Sequence, residues 1–276
     1  MDRNQLSEAA LDQWCPDADC QSTPLCAPCR RRFLVLVASA RSASTTAQMM
    51  LHSLPGVRMS GENNNALTHI VDAMDRVRNS RAWRLQTGGA AWRHHRVHNS
   101  SFACPAQSFM ETINPPTLAD ATRDNATILG FKTVRLLSTP AEEGQARVYN
   151  WERAAQLIRE NLPCSRVVVN HRSDATSQIK SLKSTFRYSR KATEGLAAEN
   201  AALATLAREL GPRQAFLLDS SVWTENVTHF NDMIAWLGFR RECAFEAAFQ
   251  YNTRGGYGNG GVRGRAVPAK CSPLTS

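Results

Sequence analysis

The sequence of 276 residues has no apolar run as long as the roughly 18 residues that a membrane-spanning helix needs. Its start, MDRNQLSEAALDQW, has neither the basic nor the apolar segment of a secretory signal, so we expect any signal or anchor to lie upstream. With 42% hydrophobic and 21% charged residues, the composition excludes a disordered tail and collagen-like, coiled-coil or small disulfide-scaffold proteins. A globular protein with one large domain or two small ones remains.

Lysine is scarce as well, since 28 of the 33 basic residues are Arg and 5 are Lys. The net charge is nevertheless +9. The Arg guanidinium binds phosphate, sulfate and carboxylate groups through paired hydrogen bonds. Most of these Arg are interpreted as a solvated basic surface. The excess favours an anionic ligand without choosing among a nucleotide, a nucleic acid and an acidic glycan.

The eight cysteines include a cluster near the start of the chain. Its members are Cys15, Cys20, Cys26 and Cys29. Their spacing is too short for the usual pair of zinc knuckles, so disulfides are predicted, with zinc or free thiols as alternatives. Three glycosylation sequons begin at Asn99, Asn125 and Asn226. Together these features favour an oxidising secretory or Golgi lumen and a glycoprotein, with the cytoplasm as the alternative.

The order of apolar segments predicts an α/β fold. Residues 1–30 are interpreted as a Cys-rich N-terminal extension and residues 31–276 as one domain. Strands are predicted at 33–38, 57–60, 127–134, 166–170 and 214–219, and helices at 45–54, 64–77, 148–162, 173–186, 193–210 and 223–239. Residues 79–120 are predicted to be an irregular binding loop or lid, and the Gly-rich 251–265 to lack regular structure. Strands that alternate with helices indicate a single parallel sheet of about five strands.

A loop of small residues, SARSASTT (39–46), lies between the first predicted strand and its helix. The N–H groups of such a loop and the positive end of the helix converge on one point, which makes an anion site. The alternative is an ordinary N-capped helix. The loop lacks the Gly-Lys pair of the Walker A motif, so a Mg-nucleotide clamp would miss its cation.

The segment that contains this loop and four further segments occur in the same order as the motifs of a known protein family. The segments are FLVLVASARSASTTAQMMLHSLPGVRMSGEN (33–63), ILGFKTVR (128–135), RVVVNHRSDATSQIKS (166–181), FLLDSSVWTENVTHFNDMIAWLGF (216–239) and NTRGGYGNGG (252–261). This ordered set resembles the sulfotransferases that use 3′-phosphoadenosine 5′-phosphosulfate (PAPS). The LPGVRMSGE stretch is most similar to the tyrosylprotein-sulfotransferase-like branch. The resemblance implies a P-loop-like fold, PAPS as donor, PAP as product and no metal.

The resemblance also assigns roles to individual residues. The 5′-phosphosulfate cradle would consist of Arg41, Ser42, Ala43, Ser44, Thr45 and Thr46. Lys132 would steady the leaving group, and Arg172 would bind the 3′-phosphate together with Ser177 or Ser181. The C-terminal loop that closes over the nucleotide would contribute Tyr251, Arg254, Gly255 and Gly256. Ala43 stands where the family has Gly, which shifts the closest backbone approach to the sulfate.

Glu62 is the predicted general base, because it follows a short strand and Gly61 leaves room for an acceptor beside it. The resembling branch uses the Glu of its Gly-Glu pair in this role. A helix-capping Glu is the alternative, and His52 and His69 are rival bases.

The predicted activity is therefore sulfuryl transfer to a hydroxyl group, with Arg41, Lys132 and Glu62 as catalytic residues. The acceptor stays open among a glycan, a peptide tyrosine and a small metabolite, and so does the oligomeric state. No nucleic acid partner is expected. The alternatives are a P-loop kinase-like phosphotransferase and a basic Cys-rich module that binds nucleic acid or glycan.

Overall fold

The computed structural model describes residues 14, 26, 32–62, 66–78, 103–116, 126–134, 136, 149–185, 190–251, 262–263 and 270–272. Five strands form a parallel sheet: β1 (Arg32–Ala38), β2 (Val57–Ser60), β3 (Ile128–Thr133), β4 (Ser165–His171) and β5 (Ala215–Asp219). The helices are α1 (Ser44–His52), α2 (Ala66–Arg78), α3 (Ala103–Thr112), α4 (Trp151–Asn161), α5 (Ala175–Thr185), α6 (Arg190–Leu210), α7 (Ser220–Trp223) and α8 (Thr228–Trp236). The predicted α/β class with five parallel strands is confirmed.

The sheet order is β2-β3-β1-β4-β5, with β1 in the centre. The chain leaves β1 towards β2 on one side and leaves β4 towards β5 on the other. Helix α1 packs on one face of the sheet and α6 on the opposite face. The carboxyl ends of β1 and β4 therefore flank a topological switch point, which is where open α/β sheets bind their ligands.

Side chains alternate across the sheet and build a core on each face. Along β1, Phe33 and Val35 join the core under α2, α3, α4 and α6. Leu34 and Leu36 join the core under α1 and α8. A strand buried on both faces is apolar at every position, which is why FLVLVA shows no alternation in sequence.

Three predicted segments are wrong in part. The helix expected over 223–239 is shorter, because the short helix α7 ends at Trp223 and α8 begins only at Thr228, whose N–H donates to Asn226 Oδ1 in a turn, and ends at Trp236. The irregular segment 79–120 contains α3. The Gly-rich tail contains part of a short antiparallel pair, β6 (Gln250–Tyr251) with β7 (Val262–Arg263).

Disulfides cross-link the chain, as predicted. Cys26 of the N-terminal cluster pairs with Cys104 at the start of α3, and Cys243 pairs with Cys271. Cys164 is disulfide-bonded as well. The remaining cysteines of the cluster lie outside the described residues, and the domain boundary at residue 30 stays a prediction.

Neither a membrane-spanning helix nor a metal-binding cluster occurs among the described residues. None of the described helices is both long enough and apolar enough to cross a membrane. The same part of the chain holds no group of three or more His, Cys, Asp or Glu arranged to bind a metal ion.

Candidate functional site

The loop after β1 has an unusual backbone. Arg41 (φ 63°) and Ala43 (φ 54°) are the described non-glycine residues with positive φ. The residue between them lies on the ordinary side, and such alternation turns successive N–H groups towards one point. Ala43 is also the N-cap of α1 and gives it no side-chain hydrogen bond. The first N–H groups of α1 and those of the loop thus lie at the switch point of the sheet, where the sequence predicts an anion site.

The side chain of Ser42 forms hydrogen bonds within the loop and to β4. Its hydroxyl is fully buried and donates to Ser39 O at 2.7 Å. It also accepts a hydrogen bond from Asn170 at 3.1 Å. The Ser42 hydroxyl is therefore occupied inside the loop, and only its backbone N–H is kept as a candidate ligand donor. Thr45 and Thr46, in the first turn of α1, are half-buried.

Two guanidinium groups lie beside the loop. Arg41 Nε donates to Ser181 Oγ at 3.0 Å, and Arg172 Nη1 donates to Arg41 O at 3.4 Å. Arg172 Nε is buried without a hydrogen-bond partner among the described residues. Of the two serines that the sequence left open, the structure places Ser181 next to Arg41. Ser177 instead donates its backbone N–H to Asp174 at 2.9 Å, in the first turn of α5.

Glu62 and Lys132 form an ion pair, with 2.6 Å between Lys132 Nζ and Glu62 Oε1. Lys132 is paired in register with Leu36 of β1 and points to the sheet face on which α1 packs. Its side chain is 7% exposed and that of Glu62 is 38% exposed. A Cβ on the neighbouring Gly61 would meet nothing within 4 Å. The pair thus joins a buried ammonium to a carboxylate that a solute can reach, with open space beside it.

The segment after β4 is fixed by Asp219 at the end of β5. Its carboxylate accepts hydrogen bonds from Ser173 N at 3.1 Å and Ser221 N at 2.9 Å. Burial raises the pKa of Asp219, but these bonds and the nearby His171 outweigh burial and leave the pKa below its usual value. Burial lowers the pKa of His171, although Asp219 opposes that shift. At neutral pH the carboxylate is charged and the imidazole neutral.

A cavity of about 750 Å³ opens beside the first turn of α1. Its lining residues are Thr46, Thr224, Glu225, Asn226, Val227, Thr228, Asn231, Phe245, Glu246, Ala247, Ala248 and Phe249. The sequence analysis missed this cavity, because residues 224–228 were predicted to continue a helix. Asn226, whose side chain accepts a hydrogen bond from Thr228 N, could have indicated the break, because Asn favours such turns.

The remaining predicted residues lie elsewhere. Tyr251 is in β6, two residues beyond the cavity-lining Phe249, and Arg254, Gly255 and Gly256 fall outside the described residues. The rival base His52 accepts a hydrogen bond from Met59 N at 3.1 Å, and burial and Arg58 lower its pKa. His69 is exposed on α2. Neither histidine adjoins the pair of Glu62 and Lys132 in any described contact.

No protein-family model and no curated protein matches the chain. Solved structures with a similar fold include a sugar kinase from Janibacter sp. HTCC2649, at 14% identity and a TM-score of 0.38 over 75% of this chain and 95% of that one. The sulfotransferase domain of the Synechococcus PCC 7002 olefin synthase has 14% identity and a TM-score of 0.39 over 76% of this chain and 74% of that one. Sulfotransferase STF1 from Mycobacterium tuberculosis H37Rv has 12% identity and a TM-score of 0.40 over 84% of this chain and 72% of that one. At these values the likenesses do not bear on function, which is inferred from the site itself.

Proposed function

We propose that the protein is a sulfotransferase that uses PAPS and transfers its sulfuryl group to an alcohol or phenol. The observation that carries the proposal is the ion pair between Glu62 and Lys132 at the carboxyl edge of the sheet that also holds the uncapped anion loop. A reachable carboxylate, a buried cation and an anion cradle are the parts that sulfuryl transfer needs.

The residues at this edge fit a nucleotide with phosphate groups at both ends. The loop from Arg41 to Thr46 offers backbone N–H groups for the 5′-phosphosulfate. The unpartnered Nε of Arg172 offers a donor for the 3′-phosphate, and Arg172 and Ser181 both contact Arg41. Guanidinium groups bind phosphate through paired hydrogen bonds, which favours a phosphate over a bare ribose hydroxyl at this position.

The cavity beside α1 would take the nucleoside. Thr46 belongs both to the cavity wall and to the first turn of α1, so the two sites are continuous. Phe245 and Phe249 supply aromatic surface. Their rings pack edge to face, with 5.6 Å between the ring centroids. Glu225 and Glu246 place negative charge in the cavity, which assigns the phosphate groups to the loop and not to the cavity.

The chain's own residues divide the chemistry among them. Glu62 takes the proton of the acceptor hydroxyl, which makes the oxygen nucleophilic. Lys132, whose Nζ lies 2.6 Å from that carboxylate, would stabilise the negative charge that develops on the leaving phosphate. Arg41 and the loop N–H groups orient the anion. Bound PAPS would supply the sulfuryl group, and PAP would be the product.

Ligand-dependent thermal stability tests this proposal. PAP at about 100 times its Kd should raise the free energy of unfolding by roughly 2.7 kcal/mol. ADP, ATP and an oligonucleotide at the same concentration should raise it less. Arg172→Ala should remove most of the difference between PAP and ADP without unfolding the protein, whereas Arg213→Ala, at an exposed turn, should leave that difference intact.

Equal shifts with PAP and ADP would mean that no 3′-phosphate pocket exists. A larger shift with ATP and Mg²⁺ would favour the phosphotransferase alternative, and an oligonucleotide shift above both would favour a nucleic-acid-binding module. With PAP binding established, turnover with PAPS against phenolic, peptide and sugar acceptors would identify the acceptor class.

A further inference from the structure

Two buried side-chain amides donate hydrogen bonds to the anion loop (residues 39–46). Asn170 at the end of β4 and Gln178 in α5 are both completely buried. Each donates hydrogen bonds to a main-chain carbonyl of the loop and to a serine hydroxyl of the loop. Neither residue belongs to the set that the sequence analysis selected.

Asn170 contacts the second half of the loop. Its Nδ2 donates to Ser42 O at 2.6 Å and to Ser42 Oγ at 3.1 Å. The indole Nε1 of Trp223 donates to Asn170 Oδ1 at 3.2 Å. Because an indole N–H can only donate, it fixes which end of the amide faces the loop.

Gln178 contacts the first half of the loop. Its Nε2 donates to Ala40 O at 2.6 Å and to Ser39 Oγ at 3.0 Å. Its Oε1 accepts a hydrogen bond from Asn200 Nδ2 at 3.0 Å, and the same Nδ2 donates to Arg172 O at 3.1 Å. Asn200 in α6 therefore connects the support of the loop to the main chain at Arg172.

These contacts explain how the loop keeps its backbone conformation. Positive φ at Arg41 and Ala43 is unfavourable for residues that carry a Cβ, so it persists only where the surroundings impose it. The hydrogen bonds to the carbonyls of Ala40 and Ser42 fix the backbone on both sides of Arg41. An anion then meets a loop that needs no rearrangement.

We propose that Asn170 and Gln178 are positioning residues that preorganise the anion loop, and that Asn200 couples the loop to Arg172. The inference rests on the proposed function, since it takes the loop to be the binding site of the phosphosulfate. It assigns to these amides an effect on ligand affinity beyond their effect on stability.

Gln178→Glu is the first test, because the carboxylate keeps the shape of the side chain but turns the donor that faces Ala40 O into an acceptor. Asn161→Asp is the matched control. Asn161 is equally buried and donates to Leu157 O at 3.0 Å in α4, at the other end of the sheet. Measurements are the thermal midpoint, the Kd for PAP and for inorganic pyrophosphate, and hydrogen exchange of the amides of residues 40–44.

Both variants should lose thermal stability. Gln178→Glu alone should weaken PAP and pyrophosphate binding about 10- to 100-fold and speed exchange of the loop amides, because it leaves a buried carbonyl unpaired. Unchanged affinity and unchanged loop exchange in a folded Gln178→Glu protein would overturn the inference. If Gln178→Glu does not fold, Gln178→Met, which keeps the length without the charge, takes its place under the same criteria.

Asn200→Ala separates the coupling from the loop itself. Pyrophosphate reports on the loop alone, whereas PAP also engages the groups at Arg172. Asn200→Ala should therefore weaken PAP more than pyrophosphate, and equal losses would overturn the coupling.

If the wild-type protein binds neither PAP nor pyrophosphate, the proposed function fails. Hydrogen exchange of the loop amides then tests separately whether Gln178 fixes the conformation of the loop. Faster exchange in Gln178→Glu than in Asn161→Asp upholds it, and equal exchange overturns it.

Discussion

Basic side chains are buried at both ends of the sheet, but they contact different kinds of partner at the two ends. At the carboxyl edge, Lys132 is paired with the half-exposed carboxylate of Glu62. At the amino edge, the guanidinium of Arg166 lies between the indoles of Trp14 and Trp236, 4.9 Å and 4.8 Å from the two ring centroids. Arg166 also donates to Trp236 O. The described partners of the amino-edge cation thus include two aromatic rings and a main-chain carbonyl.

The comparison shows that buried positive charge by itself does not mark a functional site. Burial, and the neighbouring Arg32 after it, lowers the pKa of Arg166 to about 10, so this side chain is still charged at neutral pH. Its charge is used to dock Trp14 of the N-terminal segment on the sheet. At the other edge, the partner of the cation is a carboxylate that is 38% exposed and has open space beside it, and that difference supports the proposed role of Glu62.

The largest expected effect is at the carboxyl edge. Glu62→Gln keeps the shape of the side chain but removes the base, so turnover with PAPS and a working acceptor should fall about 10²- to 10⁴-fold while PAP binding survives. Glu209→Gln is the matched control, because Glu209 also pairs with a cation, Arg159, at 3.3 Å. Loss of that exposed ion pair should lower the free energy of unfolding by no more than about 1 kcal/mol, and it should not affect turnover. Turnover of Glu62→Gln within a few-fold of wild type would remove Glu62 as the base.

The amino edge should show the reverse behaviour. Arg166→Ala should lower the free energy of unfolding by about 2–4 kcal/mol, because it leaves a cavity and removes two cation–π contacts. PAP affinity of the folded protein should not change. Chemical denaturation and calorimetric titration measure the two quantities, with the exposed Arg208→Ala as the control. A loss of PAP affinity in Arg166→Ala would break the distinction between the two edges.

The smallest expected effect is the contribution of His171, at the carboxyl edge, to the pH dependence of stability. Burial lowers the pKa of His171, and His229 lowers it further against the opposing effect of Asp219. The unfolded chain therefore takes up a proton before the folded protein does. The resulting stability is fully present above the unfolded pKa of about 6.5 and is lost as the pH falls through the folded value.

His171→Gln should accordingly reduce the loss of unfolding free energy between about pH 7.5 and 5.5, by less than about 1 kcal/mol for this half-buried ring. His52 and the other titrating groups remain in both proteins, so the difference between the two urea-denaturation curves isolates His171. Parallel curves for wild type and variant would show that His171 makes no such contribution. Arg166 stays charged throughout this range and gives no corresponding slope.

Sequence patterns were most informative where one local interaction dominates. The buried run at 33–38 and the runs that became β3 and β4 could be predicted because only a doubly covered parallel strand buries them completely. The break at 224–227 was missed, because apolar periodicity continues across it although the side chain of Asn226 forms a turn there with Thr228 N. The pairing of Cys26 with Cys104 could not be deduced from spacing, since cysteines far apart in sequence have many possible partners.

The sequence by itself determined the α/β class and the five strands, and it indicated Glu62, Lys132 and the loop as candidates. These follow from periodicity, from the small residues of the loop and from a resemblance in motif order. Only the tertiary structure decided that Glu62 meets Lys132, that Ser181 lies beside Arg41, and that Asn170 and Gln178 hold the loop. Each of these contacts joins residues distant in the chain, and hydrogen bonds between such residues depend on sheet order and helix placement, which no local pattern encodes.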